Sequence, residues 1–235
     1  MAKKLWGGRF AKATDPLVEE FTRSVQYDYK LAEYDIIGSL VHIQILKNAG
    51  YLNKTEKAKL ESGLKALYSA VKDGTFKPDL SCEDIHTDIQ NKLQAKVGDL
   101  VMKLHTARSR NEQVVFATKL YCKAGLMKLQ EALVDLDITL CELAAKNSDV
   151  VIPGFTHMQH AQPVYLMDYL MAYGEMLKRD YDRTWVAAKN IELTMGAGAL
   201  AGTPIDAAKY NVDVSGYIKG NKDLRKSFKL QPTVN

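Results

Sequence analysis

Six leucines, Leu126, Leu129, Leu133, Leu136, Leu140 and Leu143, recur at alternating spacings of three and four. This is the heptad repeat of a helix whose apolar stripe packs at a shallow angle on a neighbour. It predicts one long helix from about Ser109 to Asn147. A second seam, through Leu166, Leu170, Tyr173, Leu177, Tyr181, Trp185 and Ala188, predicts another. Helices of about 35 residues are some three times the usual globular length. Two of them cannot bury both seams, so further helices must come from additional sequence or from other subunits. The expected fold class is all-α. Residues 1–107 form a small helical N-terminal domain, and residues 108–235 the first part of an extended long-helix bundle.

Before the seams the pattern is also helical. Asn53-Lys-Thr-Glu56 has the form of a capping box and opens a run to about Asp73, where Gly74 and Pro78 mark a loop. Ser81-Cys-Glu-Asp84 offers another N-cap, before a short helix carrying His86. Alternating strand patterns are scarce. The glycine-rich Gly196-Ala-Gly-Ala-Leu-Ala-Gly202 lacks the strand-before, helix-after context of a dinucleotide fingerprint, and reads as the C-terminal break of the second long helix.

Composition narrows the function classes. Apolar residues at 46% and charged residues at 26% match an ordinary globular chain. The net charge of +4 is spread thinly, without the basic clusters of a nucleic-acid binder. Apolar runs are interrupted well short of the roughly 18 residues a membrane helix needs. The N-terminus has no apolar core of a secretory signal, so a cytoplasmic location is expected. Cys82, Cys122 and Cys141 are too far apart for a zinc site or disulfide frame and are expected to be reduced, partly buried thiols.

Two polar segments carry candidate chemistry. The first, His105-Thr-Ala-Arg-Ser-Arg-Asn-Glu-Gln113, lies at the start of the first long helix. Free N–H groups and the positive dipole end favour anions there, and Arg108, Ser109, Arg110 and Asn111 add donors suited to carboxylates. The same residues also read as a capped helix start with solvated arginines. The second, Gly154-Phe-Thr-His-Met-Gln-His-Ala-Gln-Pro163, is expected at the start of the second long helix. Thr156 and His157 offer a hydroxyl and an imidazole there, matched to proton transfer near neutral pH. A loop histidine satisfied by backbone groups is the plainer alternative. His157 and His160 lack a third ligand, so no metal site is expected.

These segments, separated by one long helix, resemble the first two signature regions of the argininosuccinate lyases, within the fumarase/aspartase superfamily. Leu5-Trp-Gly-Gly-Arg-Phe10, Ser24-Val-x-x-Asp28 and Glu83-Asp-Ile-His86-Thr87 extend the resemblance over nearly the whole chain. It implies an all-helical homotetramer whose active sites draw on three subunits. The implied reaction is reversible elimination of fumarate from argininosuccinate to give arginine, without metal or other cofactor. A base takes a proton next to a carboxylate, an aci-carboxylate forms, and an acid protonates the departing guanidino nitrogen. By this resemblance Ser109, Arg110 and Asn111, with Ser24, Asp84, His86 and Gln159, hold substrate. Thr156 and His157 are the catalytic residues that take part in proton transfer. Another lyase of the superfamily, or a catalytically inactive structural protein like the lens crystallins of this fold, are the alternatives.

The chain departs from the family pattern in places. Ala107 stands where glycine is usual, which requires a negative φ there. Glu112 stands where aspartate is common, and His160 replaces a usual Arg or Lys. The third signature, a Gly-Ser-Ser-x-Met-Pro-x-Lys loop with the serine thought to act as base, does not occur. The chain is therefore expected to be a truncated N-terminal portion, inactive alone.

Overall fold

The computed structural model of the chain describes residues 14–217 and 229–233, and it is predominantly helical. The Leu5–Phe10 motif and Asn235 lie outside the described residues. The described chain divides into two compact units. The first comprises residues up to Tyr121 with Glu192–Tyr217 and residues 229–233, and the second comprises Cys122–Ile191.

In the first unit, short helices α1 (Pro16–Thr22) and α2 (Val25–Asp28) lead into α3 (Ala32–Asn48). Helix α3 is buried on nearly every face, through Ile36, Ile37, Leu40, Val41, Ile43, Ile45 and Leu46. An apolar stripe all round a helix fits only a central position. Helices α4 (Lys54–Lys72) and α5 (Ile85–Val97) pack on it and on each other. Helix α4 is amphipathic, burying Leu60, Gly63, Leu64 and Leu67 along one face. Gly63 is what lets it approach α5 closely, since a Cβ there would sit 2.6 Å from Leu93 Cδ1. The expected caps form: Asn53 and Glu56 make a reciprocal capping box, and Asp84 accepts from the Thr87 amide.

A 3₁₀ segment, Gly98–His105, connects α5 to α6 (Arg110–Lys146), a 37-residue helix. Its first turns belong to the first unit, where Phe116 packs against Gly38 of α3. The same unit contains a short parallel pair, β3 (Leu193–Met195) and β4 (Leu230–Pro232).

The second unit departs from expectation. After α6 the chain forms an antiparallel hairpin, β1 (Val151–Thr156) and β2 (Gln159–Tyr165), before α7 (Leu166–Asn190) begins. The second signature therefore lies in this hairpin and not at a helix start. Helix α7 has 25 residues, shorter than expected, because the hairpin and β3 take its anticipated ends. The leucine seam also splits. Leu126, Leu133 and Leu140 are half-buried, while Leu129, Leu136 and Leu143 are 45–49% exposed. Helix α7 contributes Met171, Gly174, Leu177 and Tyr181 to the groove beside Leu133. Gly174, not Tyr173, is the buried member, for a Cβ there would meet Asp137 Oδ1 at 2.9 Å. One helix can cover only one row of a two-row seam, so the second row stays open.

Two further expectations change. The glycine-rich 196–202 segment follows β3 and is not the end of a helix, with Gly196, Gly198 and Gly202 all at positive φ. Cys82 is buried, but Cys122 and Cys141 are exposed.

Candidate active site

The start of α6 is built by a left-handed turn. Ala107 has φ +53°, contrary to the negative value its side chain led us to expect. The turn is held from α3, where His42 Nε2 donates to the Thr106 carbonyl oxygen at 2.9 Å. His42 is buried and is pushed down to about 3, first by burial and then by the neighbouring Arg108 charge. It is therefore a neutral donor at physiological pH. Ser109 then caps α6: its hydroxyl accepts from the Asn111 amide at 3.2 Å, and Glu112 Oε1 accepts from the Ser109 amide at 3.2 Å. The other Glu112 oxygen accepts from the amides of Gly196 and Gly198, at 3.1 and 3.2 Å. Glu112 thus ties the glycine-rich turn to the helix start.

Of the two arginines of this segment, Arg108 is buried and Arg110 is half-buried. Arg108 is 8% exposed and donates through Nη1 to Ser39 Oγ at 3.1 Å, leaving Nε without a partner. Burial pulls it down to about 10, where it remains charged at neutral pH. Arg110 lies 3.8 Å from Asp84 Oδ1 through Nη1, and its Nη2 reaches Thr87 Oγ1 at 3.5 Å. The Arg110 Nη1 atom is buried and makes no hydrogen bond. A guanidinium so placed retains donor capacity for an incoming anion.

Next to it, α5 presents His86, whose Nδ1 donates to Asp35 Oδ1 of α3 at 2.8 Å. Both side chains are buried, at 2% exposure. Burial opposes the charged form of each. Their mutual attraction wins, holding the imidazole above its ordinary value and the carboxyl below its own. Gln113 Nε2 donates to the same Asp35 oxygen at 2.7 Å. His105 Nε2 donates to Gln90 Oε1 at 2.7 Å, and burial with the Arg108 and Arg110 charges lowers it to about 4. At the edge of the cluster Ser24 donates to Asp28 Oδ2 at 2.5 Å, while Asp28 Oδ1 accepts from the Ile85 amide.

The first unit thus gathers Ser24, Asp84, His86, Ser109, Arg110 and Asn111 around the starts of α5 and α6. Thr156, His157 and Gln159 belong to the hairpin of the second unit, and all three are exposed. Thr156 pairs with Gln159, and the two residues between them, His157 and Met158, have φ +49° and +61°. That is the backbone of a two-residue primed turn, ordinarily given to Asn-Gly. Holding two side-chain-bearing residues there stores strain of the kind that clusters at functional sites. The sequence reading missed Asp35, Ser39, His42 and Gln113. Its usable signal was Asp35 and His42, which border and interrupt the apolar run of the helix over residues 36–46, since buried charge requires a partner.

A protein family described as lyase matches residues 8–220. The chain is 45% identical over 206 residues to argininosuccinate lyase of Streptococcus mutans, covering 86% of this chain and 45% of the relative. It is 39% identical over 210 residues to argininosuccinate lyase of Ruminiclostridium cellulolyticum, covering 89% and 46%. The chain thus spans about half the length of the curated relatives it matches. Among solved structures, class II fumarase from Schistosoma mansoni aligns with a TM-score of 0.71 at 15% identity, over 88% of this chain and 49% of that one. An EDDS lyase variant with bound fumarate aligns with a TM-score of 0.67 at 23% identity, over 93% and 44%. These two similarities support the fold alone.

Proposed function

The chain belongs to the lyase family, and from that premise we propose that it is the N-terminal portion of an argininosuccinate lyase, releasing fumarate from argininosuccinate to leave arginine. The observation that carries the reading is Arg110. Its buried Nη1 has no hydrogen bond, and it sits at a helix start beside Ser109 and Asn111. This donor set suits a carboxylate.

In the proposed reaction, removal of a proton next to a substrate carboxylate pushes two negative charges onto that group. Fixed donors then matter most, and losing one such donor typically costs about 2.7–4 kcal/mol of barrier. Arg110 and Asn111 hold the substrate, with Ser109 ordering the first turn and Ser24, Asp84 and His86 completing the pocket wall. Thr156 and His157 serve the proton transfers, with Gln159 contacting substrate. The base is supplied from outside the 235 residues, as are the helices that cover Leu129, Leu136 and Leu143. A homotetramer, cytoplasmic location and a domain boundary at residues 107–108 complete the proposal. No helix among the described residues is long and apolar enough to cross a membrane.

The test uses an assembled lyase: the chain co-produced with the C-terminal remainder of a relative such as the Streptococcus mutans enzyme. Fumarate release is compared for argininosuccinate and a panel of other N-succinyl amines. Preference for argininosuccinate supports the reading. Preference for another amine makes the chain a different lyase.

A further inference from the structure

Asp35 is the most demanding side chain of the first unit. It is a carboxylate at 2% exposure in the central, apolar helix α3. Burying a carboxylate costs several kcal/mol unless partners restore its solvation. An apolar residue of similar size would generally serve packing at least as well. Its partners are therefore informative. One oxygen, Oδ1, accepts from His86 Nδ1 of α5 at 2.8 Å and from Gln113 Nε2 of α6 at 2.7 Å. Those two elements are the ones whose starts carry Asp84 and His86 on one side and Ser109, Arg110 and Asn111 on the other.

We propose that Asp35 is a positioning residue: its single oxygen, shared between His86 and Gln113, orients the His86 ring and aligns the starts of α5 and α6 as one anion-receiving unit. The inference rests on the lyase reading and adds a residue to it. Because Nδ1–H is committed to Asp35, the ring's other nitrogen, Nε2, is the one that remains for another partner. With the ring charged, Nε2–H is a fixed donor for a substrate carboxylate. The charged and titratable groups around His86 are Asp35 of α3, Asp28 of α2, Asp84 at the start of α5, and Arg110. Around Asp35 they are His86, His105 and Arg108. Only Asp35 makes a direct hydrogen bond to the His86 ring among the described residues. It is the partner whose removal should move the ring's titration most.

The experiment follows the His86 ring by nitrogen-detected NMR across pH in the 235-residue chain, wild type and Asp35→Asn. It also follows turnover across pH in the assembled lyase. Asp35→Asn should lower the His86 titration by about one pH unit or more, as loss of a charge within about 4 Å does. The alkaline limb of the kcat profile should move down with it, and turnover at its optimum should fall about tenfold to a hundredfold, with KM changing less. Asp35→Glu, which keeps the charge, should restore most of the ring's titration. Should Asp35→Asn not fold, Gln113→Met removes only the α6 arm. It should leave the ring titration in place and still lower turnover. An unmoved ring titration in folded Asp35→Asn overturns the proposal, as does full turnover in Gln113→Met. Wild-type protein without argininosuccinate turnover defeats the lyase reading itself. Wild-type turnover with an unmoved alkaline limb in Asp35→Asn defeats only the role given to Asp35.

Discussion

His42 should make the first unit acid-labile well above the carboxylate range. Its imidazole is pushed from 6.5 to about 3 by burial and by Arg108, against which the bond to the Thr106 carbonyl works only partly. A histidine that resists protonation when folded binds fewer protons than it does unfolded. Its contribution to stability is therefore full above pH 6.5 and is lost as pH falls from there towards 3. At 1.36 kcal/mol per unit, acidifying from neutrality to pH 4 should remove roughly 3 kcal/mol. That is a large part of a typical stability of about 5–15 kcal/mol. His105, lowered to about 4, acts in the same direction with a smaller share because its ring is partly solvated. Asp28, raised by burial, acts oppositely, and the His86–Asp35 pair keeps its imidazole contribution in acid. The assay is urea unfolding between pH 7 and pH 4, followed by hydrogen exchange of α3 amides, on wild type and His42→Gln. Glutamine can donate to the Thr106 carbonyl but does not titrate. The variant should lose a large part of the acid sensitivity over this window, with the His105 share remaining. Parallel pH dependence in the two proteins would show that His42 is not the group responsible.

Four other outcomes are expected, two from local geometry and two from the lyase reading. Ala107→Gly should stabilise the first unit by about 1 kcal/mol in chemical denaturation, because a side chain at φ +53° is strained and glycine is not. Gly63→Ala should cost about 1–3 kcal/mol and lower Tm, since its methyl would overlap Leu93 and Val97 and force α4 from α5. In the assembled lyase, Arg110→Leu should abolish substrate binding in calorimetry while circular dichroism stays helical. His157→Asn should lower kcat far more than it weakens binding.

Local signals were the legible ones. The Asn53–Glu56 box and the Asp84 cap form as written, because each needs only neighbours within three residues. The extent of α6, expected as Ser109–Asn147, is found as Arg110–Lys146, with the leucine heptad occupying its C-terminal half. What was not legible depended on distant partners. Val151 and Ile152 pair with Tyr165 and Val164, a β-prone ladder hidden by Pro153, Pro163 and a turn without glycine. The seam read as one stripe, yet only the row facing α7 is covered. Arg108 read equally as a donor for a carboxylate or as a solvated cation until Ser39 and Asp35, some seventy residues earlier, supplied its surroundings. Ala107 was read by its side chain alone, whereas the His42–Thr106 bond fixes a turn its own preference would not choose. The substrate-binding candidates of the first unit were found through motifs, and the buried residues behind them were not.

The central claim is that these residues form one part of an argininosuccinate-cleaving site. Its most direct test is fumarate release from argininosuccinate by the chain, by the C-terminal remainder of a relative, and by the two assembled together. The account predicts release only from the assembly, and its loss when the chain carries Arg110→Leu. A folded assembly that releases no fumarate, or one in which Arg110→Leu works as well as wild type, would contradict it.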